Sequence, residues 1–187
     1  MKKLSEESFL LIRNWDSYRD ILKAGERLNA EVASVLAEAE KQIKKQEWWN
    51  DGWQTHRSGQ TQFYITHRDW QCKDEDLVWI GVESFSPANI FGDDVPPSMY
   101  VWVSGKRVEL KQLLAKIIIE NPTQLHGELV ASQNGYVVQQ SLPKCLPEEA
   151  EQFGDVMLTQ LLEFLGFYAK YWDEFTMAVK EFQKSGN

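Results

Sequence analysis

The stretch after Pro147 constrains this chain more than any other. Met157, Leu161, Phe164, Tyr168, Tyr171, Phe175, Ala178 and Phe182 recur at steps of four and three. A second stripe of Leu158, Leu162, Leu165, Trp172 and Val179 runs directly beside them. Two adjacent stripes define a helix whose apolar face is too wide for a two-stranded seam. Pro147 suits a first helical position, and Glu148, Glu149 and Glu151 complement the helix dipole. Read as one helix, the segment extends roughly 50 Å at 1.5 Å per residue. Such a face needs a second long element beside it.

Residues 1–46 supply one. Leu11, Trp15, Tyr18, Leu22, Gly25, Asn29, Val32, Leu36, Ala39 and Ile43 keep the same spacing. Gly25 and Asn29 are its weak points, so one bent helix or two in series both fit. The helix stops near Glu47, where Trp48-Trp49 meets the turn signal Asn50-Asp51-Gly52.

Between the helices, residues 47–146 read as a sheet. Gln62–His67, Leu77–Phe85 and Met99–Val103 are β-rich runs separated by turn clusters. Val108–Glu120 reads as a short helix stopped by Asn121-Pro122, and Glu128–Leu142 as a hairpin around Asn134-Gly135. The expected architecture is one α+β domain over 1–187. Its central, mostly antiparallel sheet has about five strands, flanked by long N- and C-terminal helices (1–46 and 147–187) with one short internal helix.

Composition excludes several function classes. The net charge of −8, with nets of +1, −4 and −5 over the three parts, argues against a surface that neutralises phosphates. No apolar run is long enough to span a membrane. Ser5, Glu6, Glu7 and Arg13 interrupt any leader-like core in the first residues. Cys72 and Cys145 make neither a disulfide framework nor a metal cluster, and the expected setting is cytoplasmic, with reduced thiols. Asp74-Glu75-Asp76 and Asp93-Asp94 read as solvated turn residues rather than cation sites. No nucleophile elbow, phosphate cradle or zinc-ligand pair occurs. The expectation is therefore a non-enzymatic protein without cofactor or metal.

Two sets of residues stand out as candidates for function. Six of the eight tryptophans fall in residues 47–146. Alternation puts Val78, Ile80 and Val82 on one face of their strand, leaving Leu77, Trp79, Glu83 and Phe85 on the other. In the next strand Met99, Val101 and Val103 match the core face, which sets Tyr100 and Trp102 opposite. The residues Trp79, Glu83, Tyr100 and Trp102 have two readings. In the one the sequence favours, a terminal helix packs over them and satisfies their polar tips at its margin. In the other they wall a groove suited to a flat or cationic ligand, in a ligand-binding or hydrolytic protein whose acid is Glu83. Three aromatics desolvate that carboxylate and so raise its pKa for proton transfer. The second set is Phe164, Tyr168, Trp172 and Phe175 on the C-terminal stripe. It is expected to dock a protein partner or a second copy, so that Trp172→Asp breaks association and leaves a folded monomer.

The order helix, three strands, helix and further strand, over roughly residues 17–141, resembles the PD-(D/E)XK, or restriction-endonuclease-like, nuclease core. That family holds a magnesium ion with an acidic residue near the start of one strand and an E-x-K or D-x-K triplet on the next. The resemblance puts Asp76 in the first position. The next strand, Met99-Tyr100-Val101-Trp102-Val103, has no carboxylate and no lysine precedes Lys106; Glu83-Ser84-Phe85 also departs from the triplet. The resemblance thus implies a divergent domain without its catalytic chemistry.

Overall fold

A computed structural model describes residues 5–92, 94–105, 107–120, 126–131 and 134–185. Asp93, Lys106 and the Asn121-Pro122 helix stop lie outside them. The fold is α+β, with helices α1 (Glu6–Arg13), α2 (Trp15–Ile43), α3 (Pro87–Phe91), α4 (Val108–Glu120), α5 (Phe153–Ala169) and α6 (Trp172–Lys184). The strands are β1 (Trp53–Ser58), β2 (Gln62–His67), β3 (Gln71–Cys72), β4 (Glu75–Asp76), β5 (Val78–Glu83), β6 (Ser98–Val103), β7 (Glu128–Leu129) and β8 (Tyr136–Ser141). Six of them form an antiparallel sheet in the order β1-β2-β5-β6-β8-β7, and β3 and β4 form a separate small hairpin.

One face of the sheet carries the core. Phe63 and Ile65 of β2, Val78, Ile80 and Val82 of β5, Met99, Val101 and Val103 of β6 and Val138 of β8 are all buried. They merge with Leu36, Ala39 and Ile43 of α2, Leu110 and Leu114 of α4, Leu161 and Phe164 of α5, and Phe175 and Val179 of α6. Alternation places the core face of β5 and β6 as expected. Leu77 and Phe85 depart from it, because both are buried in this core rather than on the opposite face. They flank β5 instead of belonging to it. Ser84, at φ 58°, breaks the alternation and turns Phe85 back towards Phe153.

The two long helices are each divided. The N-terminal one breaks at Asn14 rather than at Gly25 or Asn29. The Asn14 side-chain amide donates to the Leu10 carbonyl at 2.9 Å, and its backbone (φ −113°, ψ 29°) leaves the helical region. The C-terminal segment opens with a 3-10 turn over Pro147–Gln152 and divides again between Ala169 and Trp172. The single 50 Å helix is therefore replaced by helices of roughly 26 and 20 Å. This break lets one aromatic-rich stretch bury two surfaces: α5 lies along α2 and the sheet, while α6 lies along α4. The pairing of the two terminal regions is thus made within one chain.

That packing overturns the expected interface. Phe164, Tyr168 and Phe175 are fully buried in the chain's own core. Trp172 is half-buried against it, and its indole donates to His67 Nδ1 at 2.9 Å. Trp172→Asp would place a charge in this setting and unfold the protein instead of freeing a monomer.

Candidate functional site

The uncovered face of the sheet is where the chain assembles its unusual surface. His56 of β1 lies opposite Tyr64 of β2, and Trp79 of β5 lies opposite Trp102 of β6. Tyr64 lies opposite Gly81 and leans diagonally towards Trp79. The four rings form one continuous stack. Centroids are 5.0 Å apart from His56 to Tyr64, 4.8 Å from Tyr64 to Trp79 and 4.4 Å from Trp79 to Trp102, with interplanar angles of 14°, 21° and 25°. At about 4.8 Å per strand spacing, the stack crosses roughly 14 Å of sheet.

Two glycines make the stack possible. A Cβ on Gly81 would overlap the Phe63 carbonyl and the Cβ of Tyr64, so the Tyr64 side chain occupies the space beside a bare backbone. A Cβ on Gly135 would overlap the indole of Trp102, which lies over that glycine. The Val103 amide donates to the Gly135 carbonyl at 2.8 Å, and the β6–β8 register shifts at Val101/Trp102. β7 and β8 pair antiparallel, with Leu129 opposite Val138, and Gly135 is selected by its contact with Trp102.

Polar groups border the rings. The Tyr136 hydroxyl donates to Glu83 Oε1 at 2.6 Å, and Gln62 Nε2 donates to the Tyr100 hydroxyl at 3.1 Å. Tyr100 meets Tyr136 edge-on at 5.7 Å. Burial pushes both phenols above their ordinary pKa, Tyr100 most directly, and for Tyr136 the bond to Glu83 adds to the effect. Tyr64 is raised by burial and by Asp76. The phenols thus remain protonated donors throughout the physiological range. His56 Nε2 sits 3.7 Å from Asp76 Oδ2, too far for a hydrogen bond. Among the described residues, Trp79 Nε1 and His56 Nε2 are buried atoms without a hydrogen-bond partner.

All four predicted residues of this set, Trp79, Glu83, Tyr100 and Trp102, share this face. The covering helix does not. The ring contacts of Tyr64, Trp79, Trp102, Tyr100, Tyr136 and His56 are to one another, and none of the six belongs to the core that the helices share. Tyr100 is fully buried, but by its neighbours on the face, while Trp79 and Trp102 are half-buried. The surface is a platform more than a groove: a cavity of about 440 Å³ lies elsewhere, between α4 and the β7–β8 hairpin. Glu83 is engaged by a phenol within the face, so its carboxylate serves first as an acceptor holding Tyr136.

Sequence reasoning missed His56, Tyr64 and Tyr136. His56 lies on β1, whose polar run Trp-Gln-Thr-His-Arg-Ser carries little strand signal. The one usable clue is alternation: Thr55 and Arg57 bond to Glu40 and the Ala33 carbonyl on α2, leaving Gln54, His56 and Ser58 for the other face. Asp76, the position implied by the nuclease resemblance, accepts from Gln71 Nε2 at 2.8 Å. Among the described residues, no group of three His, Cys, Asp or Glu side chains converges on a common point, and no helix is long and apolar enough to cross a membrane. Compared with known proteins, the chain matches no family model, no curated protein and no solved structure.

Proposed function

We propose that this protein is a non-enzymatic, cytoplasmic interaction module whose recognition element is the open aromatic face of the sheet. The observation that carries this reading is the His56–Tyr64–Trp79–Trp102 stack on a face that no helix of the core covers. Half-buried aromatics with a free edge supply contact area at low entropic cost, as interface hot spots do. The carboxylates of Asp76 and Glu83 beside the rings, on a chain of net charge −8, favour a partner segment that presents a guanidinium or another flat cation.

Indole N–H signals in a nitrogen-edited NMR spectrum test this reading. Titration with an arginine-rich, aromatic-bearing peptide is expected to shift the Trp79 and Trp102 signals saturably and leave that of the buried Trp70 unmoved. Trp102→Ala, in a protein that stays folded, is expected to abolish the response. If a binding peptide moves neither indole, or binds Trp102→Ala unchanged, the face is not the recognition element.

A further inference from the structure

Among the described residues, nothing buries the first half of α2. No residue from Trp15 to Glu31 is buried, and burial begins abruptly at Val32. Trp15, Ile21 and Leu22 are 56%, 69% and 48% exposed. This overhang runs roughly 26 Å, and a lone helix of that length is marginal in water. Its stripe, Trp15, Tyr18, Leu22, Gly25 and Asn29, is the same stripe that continues as Val32, Leu36, Ala39 and Ile43 into the core. A face that the chain buries over its second half is left bare over its first.

We propose that this overhang pairs antiparallel with the same segment of a second copy, making the protein a homodimer. The two-fold axis falls between residues 23 and 24, and side chains of opposite character then meet. Leu22 packs against the partner's Gly25, a position where an added Cβ would touch nothing within 4 Å in the single chain. Tyr18 meets the partner's Asn29, phenol to amide, and Trp15 lies one layer further, where the partner's own core begins at Val32. On one flank Arg19 faces the partner's Glu26, twice over by symmetry; on the other, Ile21 faces the partner's Leu28. A parallel pair would set glycine on glycine and put Glu26 beside the partner's Ile21.

Length also favours this register. The layer of Tyr18 on the partner's Asn29 is the last one before the partner's own core begins at Val32. The helix ends one residue beyond Trp15, at the Asn14 break. A lipid surface fits less well, because Asp16, Asp20, Glu26 and Glu31 outnumber Arg19, Lys23 and Arg27 on the segment. This inference is independent of the aromatic face.

Sedimentation equilibrium of the full chain over a wide concentration range tests it. The wild type is expected to approach twice 21.7 kDa. Arg19, now ion-paired with the exposed Asp16 at 3.1 Å, is changed to Glu, and Glu26 to Arg, singly and together. Each single reversal is expected to weaken the dimer about tenfold, and the double exchange to restore it, with circular dichroism confirming that all three stay folded. A wild type that remains monomeric overturns the proposal. So does a double exchange no tighter than the singles, or a monomer that instead adsorbs to anionic vesicles through Leu22.

Discussion

The molecule holds two aromatic clusters on opposite faces of one sheet, and they treat their polar atoms differently. In the interior cluster, Trp53, His67, Trp70, Trp172 and Phe175 touch ring to ring. The polar tips of Trp70, Trp172 and His67 are occupied there. Trp70 Nε1 donates to Thr176 Oγ1 at 3.1 Å, and Trp172 Nε1 donates to His67 Nδ1 at 2.9 Å. Because Nδ1 accepts, the ring proton resides on Nε2 and points to Asn50 Oδ1 at 3.2 Å. On the open face, among the described residues, Trp79 has no such partner, while the phenols of Tyr100 and Tyr136 are engaged. Rings that serve packing have spent their hydrogen bonds inside the chain; those of the platform keep one in hand.

Substitutions can break that contrast. Trp70→Ala removes the largest fully buried side chain and is expected to cost about 3–5 kcal/mol in chemical denaturation, with Thr176 left unpaired. Protonation probes the same cluster. Burial lowers the His67 pKa below its ordinary value of 6.5, outweighing the nearby Asp69. The unfolded chain therefore binds the proton first, so stability is full above pH 6.5 and falls as pH drops through the lowered value. Melting curves against pH should show this slope, and a folded His67→Gln variant should flatten it. Tyr136→Phe, which strips the partner from Glu83, is expected to cost about 1 kcal/mol by the same denaturation measurement. Trp79→Phe should change stability least, by about 0.5 kcal/mol or less, because no hydrogen bond is lost. The comparable change Trp70→Phe should cost more than that, and equal costs for the two would erase the distinction between the clusters.

The core face was the legible part. Val78, Ile80 and Val82, or Met99, Val101 and Val103, announce it by alternation, and Val108–Glu120 announces α4. The covering of the sheet was not legible, because both faces of β5 and β6 are apolar and alternation separates faces without saying which one the helices take. The break between α5 and α6 was hidden for a related reason. The 4-3 stripe passes through Tyr171 without a proline or glycine, and the division follows from the need to cover two surfaces at once. In α2 the stripe could be read in full, but which half would find a partner depended on where the sheet sits.

The bonds from Trp70 to Thr176 and from Trp172 to His67 join residues 106 and 105 positions apart. Closing loops of that size comes late in folding, since their entropy is lost before the contacts compensate for it. The edge of the sheet bearing His67 and Trp70 therefore cannot be completed until α6 has left the ribosome. A nascent chain stalled before Trp172 would leave this cluster exposed, so closure of this part of the core depends on α6.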